Sequence, residues 1–407
     1  MVNDTANFIA GFGIIPNDWS CKTANEICTK ISKGTTPSKS EISNEGNIPF
    51  LRVNNLTFYG RLALDSDFIF VSKESHENFL SRSMAFPNDI LMNIVGPPLG
   101  KTALLDDSYP EYNMNQAIVF YRLQKNLVDS KYFLEFLNSF KAQQWLQSRS
   151  KKTSGQQNLT IEICKDLPII LPPLVEQKKI AQILSTWDQA ISTTEKLLEN
   201  SQQQKKALMQ QLLTGKKRLL DENGMIFSSK WLSEKLEKIC AISTGKKDVN
   251  EGNPNGIYPF FTCASEPTAS DSYSYDCEAL LIAGNGNLGK THYIKGKFEA
   301  YQRTYILSKF DEKIQPLYLY QYILYWLMRD IEREKQHGAM PYIKLGLLQN
   351  FKIFIPSLTE QLKIIEVLSL ADQEIETLQK RLDCLKQEKK ALMQQLLTGK
   401  KRVKVAA

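Results

Sequence analysis

Apolar residues fall at 364, 368, 371, 375, 378, 382 and 385, and again at 392 and 396. Steps that alternate between three and four keep these side chains on one narrow helix face, the pattern of a coiled-coil seam. The same frame runs earlier through Ile180, Leu184, Trp187, Ile191, Leu198, Leu208 and Leu212, interrupted by Thr194, Ser201 and Lys205. Prolines at 172, 173 and 356 stand before the two stretches, and Gly215 and Gly399 stand after them, where a left-handed C-terminal cap belongs. Two helices of about 38 residues are predicted, each roughly 57 Å long at 1.5 Å per residue.

The helices are copies of one another. KKALMQQLLTGKKR occurs letter for letter at Lys205–Arg218 and Lys389–Arg402. DLPIILPPLVEQKKIAQILSTWDQAI (Asp166–Ile191) aligns without gaps to NFKIFIPSLTEQLKIIEVLSLADQEI (Asn350–Ile375). Weaker echoes lie upstream: Trp19, Ile27 and Cys28 match Trp231, Ile239 and Cys240, NIPFLRV resembles GIYPFFT, and LGKT occurs at Leu99–Thr102 and Leu288–Thr291. The chain therefore reads head, helix, head, helix. The first mixed α/β (α+β) head takes residues 1–172 and its helix 173–215; the second head takes 219–356 and its helix 357–399. Only the short linker LLDENGMIFSSK separates the first helix from the second head. If the seams pack within the chain, the helices must run antiparallel about a pseudo-two-fold axis. Pairing between chains, giving a dimer, is the alternative.

Charge narrows the partners only slightly. With 51 Lys+Arg against 44 Asp+Glu, the net charge is +7, which suits nucleic acid and many neutral enzymes alike. The N-terminal MVNDTANFIAGFG lacks the basic start and cleavage site of a signal peptide. The longest apolar run, LYLYQYILYWLM (Leu317–Met328), is too short to span a membrane, so a cytoplasmic location without membrane contact is expected. Its spacing is that of a core helix rather than a base-stacking surface. The seven cysteines contain no CxxC pair and the histidines at 76, 292 and 337 stand far apart; neither a metal site nor a disulfide framework is expected.

A spacer with matched ends and unlike heads suits two readers on one duplex, roughly 17 base pairs apart at 3.4 Å each. Candidate DNA contacts in the first head are Lys30, Lys33 and Thr35 in the Gly/Pro-broken KISKGTTPSKS, with Arg52, Lys101 and Gln116. Lys151, Lys152, Ser154, Gln156, Gln157 and Asn158 follow in RSKKTSGQQNL. The second head offers Lys246, Lys247, Asn285, Asn287, Lys290, Gln302, Arg303, Gln336, His337, Tyr342 and Lys344. Amides can read adenine bidentately while cations position the backbone; solvated turns are the plainer reading of the same segments. The basic GKKR after each helix complements the helix dipole; solvated charge is the plainer reading of it and contact with phosphate the alternative. Met209, Leu213, Met393 and Leu397 widen the seam near each helix end, either to pack on a head or to dock a partner.

AGNGNLGKT (Ala283–Thr291) satisfies the phosphate-loop spelling. The alternating HYIKGKFEAYQRTYIL that follows leaves no helix to bind phosphate, so a β-hairpin turn is expected there. The [DNS]PP[YFW] signature of adenine-N6 methyltransferases is missing, as is any Pro-Asp pair to begin a nuclease metal site.

The EQ-rich helix entries LPPLVEQKKIA and IPSLTEQLKII, the duplicated ALMQQLLTGK ends and the head signatures SKGTTP and SGQQNL resemble the specificity subunits of type I restriction-modification enzymes, over essentially the whole chain. The resemblance implies a non-catalytic subunit with two target-recognition domains that reads a bipartite, asymmetric target in double-stranded DNA. It also implies two adenine-N6 methyltransferase subunits and motor-nuclease subunits as partners. S-adenosylmethionine, ATP and Mg are then expected on those partners, with no cofactor on this chain. A P-loop nucleotide-binding protein centred on Lys290 and a coiled-coil adaptor without sequence preference are the alternatives.

Overall fold

The computed structural model describes residues 7–63, 68–153, 156–333 and 342–404. Both long helices form, as Leu174–Leu212 and Leu358–Leu396, 39 residues each. The chain divides into two compact units, Met1–Thr193 with Leu382–Ala407, and Thr194–Arg381. These units cut across the division into heads and helices made from the sequence. Each joins one head to the opening stretch of one long helix and the closing stretch of the other.

Inside each unit the two helix stretches run antiparallel. In the first, Glu176 pairs with Arg402 at 2.7 Å and Asp188 with Lys389 at 2.7 Å. In the second, Arg218 pairs with Glu360 at 2.6 Å and Lys205 with Asp372 at 2.5 Å, while Ser201 donates to Glu374 at 3.3 Å. Numbers rise on one helix as they fall on its partner. The seam is thus closed within the chain, with Ile180, Leu184, Ile191, Leu198, Ile364, Leu368, Leu382 and Leu396 buried. Ser201 and Lys205, two of the residues that interrupt the apolar frame, reach polar partners across it.

The duplicated helix words make the same contacts twice. Gly215 (φ +69°) and Gly399 (φ +71°) adopt the left-handed conformation and end the helices. A side chain at Gly399 would sit 2.4 Å from Pro16. The arginine that closes GKKR then turns back. Arg402 forks onto Glu176 and Asp18, and Arg218 onto Glu360. The indoles of Trp19 and Trp231 donate to the same glutamates at 3.1 Å each. Beside each glutamate a glutamine ties the helix start to the head. Gln177 donates to Pro172 and Leu127 and accepts from the Asp129 N–H; Gln361 does likewise with Pro356, Lys313 and Gln315. The lysines of GKKR are exposed as expected, but Arg218 and Arg402 are structural ion-pair partners rather than solvated charge.

One difference between the copies carries a pH dependence. In the first unit Lys389 lies between two carboxylates, Asp188 at 2.7 Å and Glu135 at 3.0 Å, and Arg61 donates to the Asp188 carbonyl. In the second unit Gln321 stands where Glu135 does and donates to Asp372 at 3.0 Å. Burial, opposed by Lys389 and helped by Asp188, pushes the Glu135 carboxyl up to about 7. Because the folded value lies above the unfolded one, the stability it contributes is present below about pH 4.5 and is lost as pH rises through 7. Glu135→Gln is expected to remove that slope and to raise the unfolding midpoint at pH 8. A gain of ~1 kcal/mol would shift it by roughly 2–4 °C in a unit of this size. Thermal melts at pH 5 and 8 check this, and parallel pH profiles for variant and parent would refute it.

Both heads are built on the same four antiparallel strands. In the first the order is Thr102–Leu104, Ile90–Asn93, Ile118–Leu123, Cys28–Lys33. In the second Thr291–Ala300, Tyr275–Ala283, Thr304–Ser308 and Ala241–Thr244 follow the same order. The central strand IVFYRL has no polar alternation because both of its faces are buried: Val119 and Tyr121 enter one core, Ile118 and Phe120 another. The aromatic run forms the helix Pro316–Arg333 with Tyr318, Leu319, Tyr322 and Ile323 buried, so it is a core element. Its counterpart breaks into Ser130–Leu137 and Phe140–Arg149, where the Ser139 hydroxyl accepts from the Ala142 N–H and starts a new helix. Among the described residues no helix is long and apolar enough to cross a membrane.

Candidate nucleic-acid interface

Strand register brings the candidate loops to one end of each sheet. In the first head Lys33 pairs with Val119, Val119 with Met92, and Met92 with Thr102, so the segments after Lys33 and Asn93 and before Ile118 and Thr102 meet. Backbone bonds lock them: Gly34 N–H to Ile118, Thr35 N–H to Met114, Ile94 N–H to Ala117, and Leu159 N–H to Ile94. The hairpin of Lys151–Thr153 and Gln156–Asn158 joins the cluster because Gln157 pairs with Gly96 and Asn158 with Val95. The second head repeats each tie: Gly245 to Thr304, Lys246 to Ala300, Gly284 to Arg303, and Ile343 to Gly284. The segments that the sequence offered separately are therefore one surface in each head.

Glycine is required where the first loop crosses the strand end. A Cβ at Gly34 would lie 2.1 Å from the Asn115 carbonyl oxygen, and one at Gly245 2.1 Å from that of Ala300. Backbone cannot yield to such contacts as a flexible side chain would.

Individual residues fare differently. Lys33, Gln116 and Lys151 are exposed on the first head's cluster, with Gln157 and Asn158 half-buried beside them. Among the described residues the Asn158 amide oxygen is buried without a partner. Lys101 lies at the same end, its ammonium 5.9 Å from the Phe58 ring centroid. Arg52 follows Pro49–Leu51, the strand whose Leu51 carbonyl accepts from the Asn115 N–H. Lys30 does not belong to the loop. It sits inside the strand opposite Arg122, its ammonium 5.6 Å from the Phe120 ring centroid, and burial, with Arg122 nearby, pulls its pKa down. Thr35 is buried, its hydroxyl accepting from Arg82 at 2.9 Å. The exposed Arg82, far away in sequence, is the cation that sequence reasoning missed at this edge.

On the second head Lys246, Asn287, Lys290, Gln302, Arg303, Tyr342 and Lys344 are exposed and Asn285 is half-buried. Lys247 is not a free cation: it donates to Ser272 at 2.7 Å and lies 3.6 Å from the fully buried Glu299. Burial, with Lys290 nearby, holds the His292 imidazole below its usual pKa. The side chains of Lys152 and Gln156, and residues Ser154, Gln336 and His337, lie outside the described residues.

Geometry bears on two of the alternatives. Ala283–Thr291 is a hairpin turn, with Ile282 paired to Thr291 and Gly286 and Gly289 at positive φ. The strand Thr291–Ala300 follows where a phosphate loop needs a helix N-terminus. At the helix ends, Leu213 and Leu397 are buried in the cores of their units with Met209, and Met393 packs against the same core as Leu397. That strip packs on a head, one of the two roles its width allows.

A family model described as the type I restriction modification DNA specificity domain matches residues 16–201 and 228–387. The EcoDI specificity subunit of a type I restriction enzyme from Escherichia coli is 36% identical over 172 residues, spanning 41% of this chain and 37% of that protein. The MjaX specificity subunit from Methanocaldococcus jannaschii, itself only provisionally assigned, is 26% identical over 96% of both chains. The S subunit of a type I restriction-modification system from M. genitalium superposes with a TM-score of 0.64 at 20% identity, covering 97% of each chain. A chain from a study of complex assembly and conformational transition in the type I R-M system gives 0.54 at 16% identity, covering 94% of this chain and 98% of that one.

Proposed function

This chain belongs to the family of type I restriction-modification DNA specificity subunits, and from that premise we propose that its heads read the two unlike halves of a split DNA target. One observation carries the reading: the two heads share a sheet and a set of backbone ties but present different side chains at the sheet end. The same frame with different chemistry suits two short, unrelated base sequences.

In this reading Lys33, Lys151, Lys246, Lys290, Arg303 and Lys344 position the duplex through phosphates. The amides of Gln116, Gln157, Asn158, Asn287 and Gln302 meet base edges, each good bidentate pair worth roughly 1–3 kcal/mol of discrimination. Catalysis lies elsewhere: two adenine-N6 methyltransferase subunits carry S-adenosylmethionine, and motor-nuclease subunits carry ATP and Mg. The two-fold repetition of the helix contacts supports two identical methyltransferase partners on one chain.

Mapping N6-methyladenine in cells that express the chain with its methyltransferase is expected to return a motif of two short parts at a fixed gap. Exchanging residues 1–172 for another first head should change one part only. Maps that are identical with and without the chain, using a methyltransferase active with another specificity subunit, would refute the reading.

A further inference from the structure

Behind each reading turn lies a buried polar residue that touches no solvent. Asn113 pairs with Phe50 in parallel register, and Glu299 pairs with Phe260 in the same way. Each accepts from the next backbone N–H, Met114 or Ala300, at 3.0 Å, and from a serine hydroxyl, Ser83 or Ser274, at 2.7 Å. Both are 0% exposed. The strand end they hold is the one on which the glycine loops rest: the Met114 carbonyl accepts from Thr35 and the Ala300 carbonyl from Lys246. Two residues farther on stand Asn115–Ala117 and Tyr301–Arg303, the turns that carry Gln116 and Gln302. A buried polar group costs stability unless satisfied, so a polar residue kept at both equivalent positions calls for an explanation beyond packing.

We propose that Asn113 and Glu299 are the positioning residues of the two reading surfaces, each fixing the aim of its own turn and glycine loop. The heads differ in chemistry. Asn113 uses its amide nitrogen to tie back to the Leu80 carbonyl and His76, so the first surface is set without charge. Glu299 instead draws in Lys247 from the loop, and Gln302 donates its backbone N–H to the Lys247 carbonyl. Loop and turn in the second head are therefore set by one ion pair. Lys247 acts from behind the surface, which explains why a lysine in a basic loop is turned inward.

This inference rests on the two-reader function, and one experiment separates them. The full chain, assembled with its methyltransferase subunits, is used to select duplexes from a pool of random sequence. The variants are Glu299→Gln, Lys247→Met combined with Glu299→Gln, and Asn113→Asp. Glu299→Gln keeps the shape but strands the lysine charge. It is expected to weaken base discrimination about tenfold in one part of the selected motif and leave the other part unchanged. The double variant removes the ion pair itself and should lose discrimination in the same part, recovery there counting against the positioning role, and Asn113→Asp should disturb only the opposite part. A split motif that Glu299→Gln leaves intact, or blurs equally in both parts, overturns the positioning role alone. A parent chain that selects no split motif overturns the function and this role together. Should Glu299→Gln fold poorly, the double variant and Asn113→Asp still decide the question by which part each one alters.

Discussion

Glu360→Ala is expected to destabilise its unit by about 3–5 kcal/mol, the range for breaking a buried ion pair from one side. Glu360 is 1% exposed and Arg218 21%, so the truncation leaves a guanidinium largely cut off from water, with the Ser229 carbonyl still accepting from it but no other carboxylate paired with it among the described residues. The Trp231 indole loses its acceptor in the same step. Truncating both partners should cost less than Glu360→Ala alone, because no stranded charge remains. The first unit supplies the comparison. Arg402 is 43% exposed and keeps Asp18 when Glu176 is removed, so Glu176→Ala should cost roughly 1.5–3 kcal/mol, the range for hydrogen bonds to charged groups. Urea unfolding of the three variants measures the order. Equal losses for Glu176→Ala and Glu360→Ala would show that exposure of the arginine does not set the cost, and a double variant worse than Glu360→Ala would remove the ion-pair explanation altogether.

That pair also marks where sequence reading stops. The helices were legible because their apolar spacing is periodic and their caps are local: proline before, glycine after. The hairpin at Ala283–Thr291 was legible because strand-like alternation follows it without a break. Arg218 and Arg402 looked like solvated charge because their partners lie more than a hundred residues away, and no local pattern records a long-range pair. Lys30 and Lys247 misled for a related reason. Composition places a lysine in a basic segment, whereas strand register decides whether it points to solvent, over a ring or at a buried carboxylate. Asn113 and Glu299 carried no signal at all: a polar residue among other polar residues, as in NMNQ and FEAYQR, reads as an exposed strand edge until the structure shows it fully buried. Even so, the duplication held the clue. Aligning the copies puts Glu176 with Glu360, Asp188 with Asp372, and Arg402 with Arg218, and these repeated polar residues proved to be the contacts made twice.

Gly245→Ala should cost the second head its sequence discrimination. The new methyl would lie 2.1 Å from the Ala300 carbonyl oxygen and 2.4 Å from that of Tyr301, and neither can move without shifting the strand end that carries the reading turn. Forcing a methyl into packed space costs roughly 1–3 kcal/mol in stability. The larger consequence is geometric. The loop must lift off the strand, the Lys246 N–H loses the Ala300 carbonyl, and the cations and amides of this edge no longer share one frame. Base discrimination in that part of the target is expected to fall at least about tenfold, 1.4 kcal/mol, while the part read by the first head is retained; Gly34→Ala should do the reverse. Gly346→Ala is the control, since among the described residues nothing beyond its own helix and chain neighbours lies within 4 Å of its added carbon and it sits inside the helix Leu345–Asn350, where alanine is favoured over glycine. Competition binding with duplexes altered in one part or the other reads the result. If Gly245→Ala weakened all duplexes alike, the loop would serve general affinity for DNA, and discrimination would have to reside in side chains away from the sheet end.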